Sequence, residues 1–543
     1  MTLLDRQLAL MPPALAREIG SASPRPDEVI DSSGDHVPIN GILRDGRAYL
    51  FHSRYAALRE AERIAEAAAP AGCVVALGAG MGHHLRAISR RADRIIAVEP
   101  DAALLRSALS RVDLADLLES NRLTLVTDCR EEALLGTIAS RYVPGVHGAL
   151  RVAELTGRVH AEQQRMHAVR GALGRAIEQL SDDLAVQARF GLAWTRNAVL
   201  NLTSARPDAL PDLRGHTAIV AAAGPSLYDA IPALALERDP IIAVDTALPV
   251  LSSFNIRPRL VVSVDCQLAS YHHYLCAGFP AVPIAADLSV SASLFCRLRD
   301  AIPLLSDHPL HRLFGHLGLG APDVDARGGN VTQAAVDLAV RCGAEAVRLV
   351  GADFSYPDGE TYSRGSYLHR LFAACADRLS PAQTLHMEFL AARPGLEPDP
   401  NCSSRLLQPL LCGYARNMER FAGTLPVPVT QDPGRGVRLA LPGRSVLRGG
   451  RVSEDTRSSP PVPGSEIPAR DILNRAGELF AAIHDRQTLL RSLEAEAPAV
   501  LLAARALMPP ITSLRSKDPD APADELVARA SRWTRSLILA ALA

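Results

Sequence analysis

"IVAAAGPSLYDAIPAL", residues 219–234, is the stretch on which the fold turns. An uncharged apolar run stops at Gly224-Pro225-Ser226, and helix-like spacing follows. The run reads as a buried strand. Gly224 permits a sharp exit, and Pro225 suits the first turn of a helix, where its missing N–H costs nothing. Ser226 can cap that helix or donate to an oxygen. A helix that starts at the end of a buried strand also presents free N–H groups and the positive end of its dipole, a ready anion site. The same residues serve equally as a plain helix start, so the surroundings must decide.

Downstream, five apolar runs in succession each finish on an aspartate. "PIIAVDTAL" ends at Asp245-Thr246, "RLVVSVDCQ" at Asp265, "VPIAADLS" at Asp287, "IPLLSDHP" at Asp307-His308 and "AVRLVGADFSY" at Asp353. Strands alternating with helices predict a parallel sheet, whose carboxyl ends share the edge at which ligands bind. Any one of these aspartates reads as a turn former or cap. Five beside a glycine turn predict a common site for hydroxyls, a base or a metal. Ahead of the last run, "DARGGNVTQAAVDLAVRCG" places Gly328-Gly329-Asn330 before another helix, a second anion-binding N-terminus. Arg327 stands where it can assist with a phosphate.

Nearer the N-terminus, "CVVALGAGMGHHLRAISRR" reads as strand, glycine turn and helix, and Glu99 ends the next strand. Gly78, Gly80, Gly82 and Glu99 form a Rossmann-like arrangement, in which glycines admit a cofactor and the acid receives ribose hydroxyls. This turn resembles the S-adenosylmethionine-dependent methyltransferase signature, without the acid usual before the glycines, where Ala76 and Leu77 stand. It is a candidate cofactor pocket or a retained scaffold.

The predicted fold class is α/β: two Rossmann-like parallel-sheet domains joined by a helical connector, with a helical C-terminal region. The expected segments are a lead-in (1–30), an N-terminal domain (31–150), the connector (151–205) and a central domain (206–370). A helical and short-strand extension (371–452), a Pro/Ser-rich linker (453–470) and C-terminal helices (471–543) follow.

Composition sets exclusions. Of 58 basic residues, Lys517 is the only lysine, and it lies in the polar turn "RSKDPDAPAD". A Walker A loop and a pyridoxal Schiff base both require a lysine, so neither class fits. A net charge of −1 gives no global attraction for nucleic acid or an anionic membrane. Nine cysteines without a CxxC pair argue against a zinc or disulfide framework. The N-terminus lacks a signal-peptide core, and no run of about 18 uncharged apolar residues occurs. The expectation is a soluble, cytoplasmic protein with neither nucleic acid nor membrane as partner.

In order, GPSL, DT, SVD, GGNVT and "LVGADFSYPDGETYSRGSYL" resemble the Maf motility-associated factors. These flagellin glycosyltransferases share a domain with 6-hydroxymethylpterin diphosphokinases, and the resemblance covers roughly residues 190–370. "WTRNAVLNL", with Trp194, Asn197 and Asn201 on one helical face, and "FHSRYAALREAERIAEA" match as well. The central part is also similar to bacterial sialyltransferases with a GPSL motif. That similarity implies transfer of a nine-carbon acidic sugar of pseudaminic or legionaminic type from CMP to flagellin serine or threonine, with no cofactor required. It implies that Gly224, Pro225 and Ser226 hold the donor's phosphate region, and that Gly329 and Asn330 face the donor from the other helix.

Asp245, Thr246, Asp265, Asp287, Asp307 and Arg327 complete the expected donor site. Two positions depart from the pattern: Ala223 replaces an asparagine before GPSL, and Tyr362 stands where many Maf proteins have histidine. The general base stays open between His369 and His308, with Asp353 to orient acceptor or histidine. Pyrophosphate transfer from ATP to a hydroxymethylpterin, with Mg2+ on the aspartates, is the alternative reaction. A non-catalytic nucleotide- or flagellin-binding protein is the reading of another class.

Overall fold

The computed structural model describes residues 2–205, 209–298, 301–441 and 467–543. The chain forms two compact units. The first comprises Met1–Gly191, Asp485–Gln487 and Met508–Ala530, and the second Leu192–His484, Thr488–Leu507 and Ser531–Ala543. The linker expected at 453–470 lies, through residue 466, outside the described residues.

In the first unit, β1 (Glu28–Ser32), β2 (Pro38–Arg44) and β3 (Arg47–Leu50) form an antiparallel sheet. A separate parallel sheet has the order β6-β5-β4-β7, from β4 (Cys73–Leu77), β5 (Arg94–Val98), β6 (Leu123–Val126) and β7 (Leu150–Glu154). Both central strands, CVVAL and RIIAV, are buried along their whole length, as a parallel sheet covered on two faces demands. The region expected to be purely helical from 151 thus opens with a strand. Leu150–Glu154 aligns beside β4 residue for residue, and pairing overrides its weak, short local pattern. Helix α1 (Gln163–Ser204) follows.

The second unit is built on a seven-stranded, wholly parallel sheet. Its strands are β8 (Thr217–Ala221), β9 (Ile241–Val244), β10 (Leu260–Ser263), β11 (Ile284–Asp287), β12 (Ala301–Leu304), β13 (Ala346–Val350) and β17 (Val429–Gln431). A small antiparallel sheet holds β14 (Tyr356–Pro357), β15 (Glu397–Asp399) and β16 (Cys402–Leu407). The helices that position the site are α2 (Ser226–Leu234), α3 (Ala269–Cys276), α4 (Pro309–His316), α5 (Val331–Arg341), α6 (Tyr367–Cys375) and α7 (Pro409–Ala422).

The spatial order is β12-β11-β10-β9-β8-β13-β17. From β8 the chain steps outward through β9 to β12, then returns to lay β13 on the other side of β8. Crossovers therefore diverge between β8 and β13, the switch point at which α/β sheets open a crevice beyond their carboxyl ends. The seventh strand comes from the stretch expected as a helical and short-strand extension, in which three residues carry too little periodicity to identify it as part of the central sheet. Among the described residues no helix is long and apolar enough to cross a membrane.

Two buried histidines make the first unit acid-sensitive. His84 donates through Nε2 to the Gly78 carbonyl (3.0 Å), and burial holds its ring down at about 3. His147 accepts at Nδ1 from the Val143 N–H (3.0 Å) and is likewise held at about 3, chiefly by burial. The unfolded chain takes up these protons first, so their contribution is intact above the ordinary histidine range near 6.5 and is lost as pH falls from there toward 3. Each site should cost about 1.4 kcal/mol per pH unit in that window. Hydrogen exchange of peptides spanning 73–98 is expected to accelerate between pH 7 and 5, after correction for intrinsic rates, and His84→Gln to flatten the trend.

Candidate active site

The opening turn meets a carboxylate. Asp353, beyond β13, accepts the Ser226 N–H at Oδ2 (2.8 Å) and the Ser226 hydroxyl at Oδ1 (2.6 Å). The anion expected on this helix start is thus the chain's own side chain, and Gly224, Pro225 and Ser226 form a seam between two loops. The sequence could not reveal this, because the partners lie 127 residues apart. Gly224 donates its N–H to Gly351 O (2.8 Å). A Cβ at Gly224 would lie 2.4 Å from Asp353 Oδ2 and 2.5 Å from Gly351 O, so only glycine fits.

A strap at Pro433–Gly436 completes the seam. Arg435 donates its N–H to Ser226 Oγ (2.8 Å), and its guanidinium reaches Asp229 (2.9 Å), Asp358 (2.9 Å) and Glu360 (2.8 Å). Burial pushes the Asp353 carboxyl up, against the Ser226 hydrogen bonds that pull it down. Phe354 follows at φ +47°, a left-handed conformation rarely adopted outside glycine, which holds Asp353 in its turn. A cavity of about 240 Å³ beside the strap is lined by Ser226, Asp353, Gln431, Asp432 and Arg438. Both oxygens of Asp353 are thus engaged by Ser226.

The open chemistry lies over β9 and β10. Asp245 is buried, accepting from Ser263 Oγ (2.6 Å), the Thr246 N–H (2.7 Å) and Thr246 Oγ1 (3.1 Å). Asp265 accepts the Gln267 N–H (2.9 Å); burial raises its carboxyl, and the neighbouring Asp245 charge adds to this. Two phenols border the same carboxylates. Tyr362 is pushed up by burial, with Asp265 and Asp245 contributing, and Tyr414 of α7 by burial, Tyr362 and Asp265. The glycine turn before α5 reaches this crevice, since a Cβ at Gly329 (φ +75°) would lie 2.9 Å from Tyr414 Cε1. Asn330 caps α5 by accepting the Gln333 N–H (3.0 Å). Tyr414, in a stretch read as helical extension, carries no motif by which sequence could identify it.

Other expected site residues are engaged in structural contacts. Asp287 accepts from Ser289 N–H (2.7 Å) and Oγ and sits 3.6 Å from Nδ1 of buried His311. Asn197 and Asn201 donate to carbonyls of the loop after β11, at Ser289 (2.9 Å), Leu288 (2.9 Å) and Val290 (2.8 Å). Arg327 bridges Asp307 (3.0 Å) and Asp325, and Asp307 also pairs with Arg312. Its charge is thus shared between carboxylates. His308 caps α4, accepting the Leu310 N–H (3.2 Å), and packs on Trp194 and His311. Burial holds its ring well below the ordinary histidine range. His369 sits on α6 beside His386, their rings 5.9 Å apart, under the influence of Arg364 and Glu360. Neither histidine is grouped with Asp245 and Asp265. Among the described residues no three His, Cys, Asp or Glu side chains converge as a metal site.

In the first unit, Gly78, Gly80 and Gly82 adopt φ of +88°, +47° and +81°. The acid expected to receive a ribose receives protein instead. Glu99 accepts from buried Arg158 (2.9 Å to Nη2) and from the Ala79 N–H (3.2 Å). The Met81 N–H is taken by His52 Nε2 (3.1 Å), and a Cβ at Gly78 would lie 2.8 Å from Arg158 Cγ.

Residues 194–359 match the family model described as 6-hydroxymethylpterin diphosphokinase MptE-like. An uncharacterised protein of Treponema pallidum (strain Nichols) is 32% identical over 176 residues, covering 31% of this chain and 84% of that protein. A second from the same organism is 27% identical over 191 residues, covering 35% of this chain and 42% of its own length. Among solved structures, a MAf glycosyltransferase from Magnetospirillum magneticum AMB-1 superposes with a TM-score of 0.61, over 99% of this chain and 96% of that one. At 16% identity, what the two share is the fold.

Asp353→Ala would leave the Ser226 N–H and hydroxyl without their acceptor, at an expected cost of about 3 kcal/mol or more. Asp353→Asn keeps an acceptor oxygen and should cost less. Gly224→Ala should cost at least as much as Asp353→Ala, because its Cβ meets backbone. Thermal unfolding of the three variants checks this order.

Proposed function

We propose that this chain, which belongs to one protein family with its Treponema relative and carries an MptE-like domain within a Maf-type fold, is a glycosyltransferase. On this reading it moves a nonulosonic acid of pseudaminic or legionaminic type from a CMP-activated donor to serine or threonine of flagellin, in the cytoplasm. The observation that carries the proposal is the cluster of Asp245, Asp265, Tyr362 and Tyr414 at the carboxyl ends of β9 and β10, combined with a fold shared with a glycosyltransferase over nearly the whole chain.

The residues suit such a reaction. Asp265 can receive a hydroxyl of the ribose or sugar, as carboxylates bordering an α/β crevice do, while Asp245, held by Ser263 and Thr246, adds its charge beside it. The Tyr362 and Tyr414 hydroxyls and the first turn of α5 supply donors and a positive dipole for a departing phosphate, which is where displacement at the anomeric carbon needs stabilisation. No step requires a lysine or a resident cofactor. The MptE-like match favours one second reading, pyrophosphate transfer from ATP, in which Asp245 and Asp265 would hold magnesium.

A ligand at 100 times its dissociation constant stabilises the native state by about 2.7 kcal/mol, a visible rise in melting temperature. CMP is expected to give that rise, and Tyr414→Phe to reduce it. Incubation with a CMP-activated nonulosonic acid and flagellin should release CMP and add the sugar's mass to flagellin. A shift seen only with ATP and magnesium would replace this reading with the diphosphokinase, and no shift with either would favour a non-catalytic binding protein.

A further inference from the structure

The histidines expected to act as base stand apart from the aspartate pair, whereas one that carries no motif does not. His273 lies on α3, which follows β10 and packs on the turn Asp245–Ala247. Ser270 of the same helix donates to the Asp265 carbonyl (3.5 Å), tying α3 to the loop that carries the second carboxylate. The ring of His273 is half-buried and meets Tyr367 of α6 edge-on, 5.9 Å between centroids, while His272 stacks face to face on the same tyrosine at 4.8 Å. Nδ1 of His273 is buried with no hydrogen-bond partner. An imidazole pinned by an aromatic ring beside two carboxylates, with a nitrogen uncommitted, is poised to handle a proton.

We propose that His273 is the general base of the transfer reaction, taking the proton of the acceptor hydroxyl, with Asp245 and Asp265 stabilising the imidazolium that results. This rests on the glycosyltransferase reading. As the acceptor oxygen forms its bond to the anomeric carbon, the bond from that carbon to the phosphate oxygen breaks and its electron pair leaves with CMP. The hydroxyl proton passes to the His273 ring and then to solvent.

Burial lowers the His273 pKa first, and the charges of Asp245 and Asp265 oppose that shift, so the ring is neutral and able to accept a proton at pH 7. Acting on it are Asp245, Asp265 and His272 of its own helix, and Tyr367 of α6 meets its ring. Arg370, also on α6, is turned to the Cys276 carbonyl (3.1 Å) at the far end of α3. The other helices packed on α3, Leu248–Ser253 and Ala292–Phe295, carry no titratable side chain. Positioned general bases contribute about 10²–10⁴ in rate.

The test uses the full chain, a CMP-activated nonulosonic acid and flagellin, with kcat and KM followed from pH 5 to 9. In His273→Gln we expect kcat to fall at least about 100-fold, with the CMP-induced melting shift unchanged and the acidic limb of the rate profile lost. His273→Ala should recover rate with added imidazole, which a purely structural role would not produce. Retention of kcat within threefold by His273→Gln, or loss of the acidic limb in His369→Gln with His273→Gln unaffected, overturns the assignment while leaving the glycosyltransferase reading standing. Wild-type protein that neither binds CMP nor releases it from the donor overturns both.

Discussion

One carboxylate closes the point at which the central sheet opens. Asp353 binds both polar groups of Ser226, and through them joins the loop that leaves β8 to the loop that leaves β13. These are the strands between which the crossovers diverge, so the bridge sits at the switch point of the sheet. The two hydrogen bonds are charge-assisted and shielded from water, the conditions under which such bonds are strongest. Everything near the seam is shaped to it. Gly224 and Gly436 have no room for a Cβ, Phe354 accepts a left-handed backbone, and Arg435 folds its strap over Ser226. The helix dipole of α2 is spent on holding the scaffold, which leaves the α5 terminus as the one facing the crevice phenols.

That division separates rigidity from chemistry. On one side of β8 the polar groups are paired and fixed. On the other, Asp245 acts on Asp265, and Tyr362, Tyr414 and His273 feel one or both carboxylates. Burial and mutual repulsion make the Asp265 charge costly, so its carboxyl rises. A group of this kind is a sensible receiver of hydroxyl protons and a poor anchor for a bare phosphate.

The first unit shows how a familiar turn can serve its own fold. Its three glycines take the left-handed conformations that a cofactor loop needs, yet Arg158, His52 and Glu99 hold their polar groups. Arg158 is buried with Glu99 and also pairs with Glu162 (2.8 Å), so removing Arg158 would strand the Glu99 carboxylate away from water. The turn is thereby a structural junction between β4, β5 and the segment after β7.

The sequence by itself determined the parallel sheets, because uninterrupted apolar runs of strand length cannot face water on either side. It determined that five runs end on acid at one edge, and that lysine-dependent chemistry has no residue to use. It located α5 and its Asn330 cap, since helix starts are written in adjacent residues. What it could not determine were the partners across space. Whether Ser226 meets a phosphate or Asp353, whether Arg327 is free or paired, and which histidine faces Asp245 and Asp265 depend on groups far apart in the chain. The same holds for β7 and β17, which are strands because their neighbours supply hydrogen bonds, and for Tyr414, which joins the crevice through α7. Local propensity is a property of a few residues; pairing, burial and desolvation are properties of the assembled sheet, and only the tertiary structure could decide them.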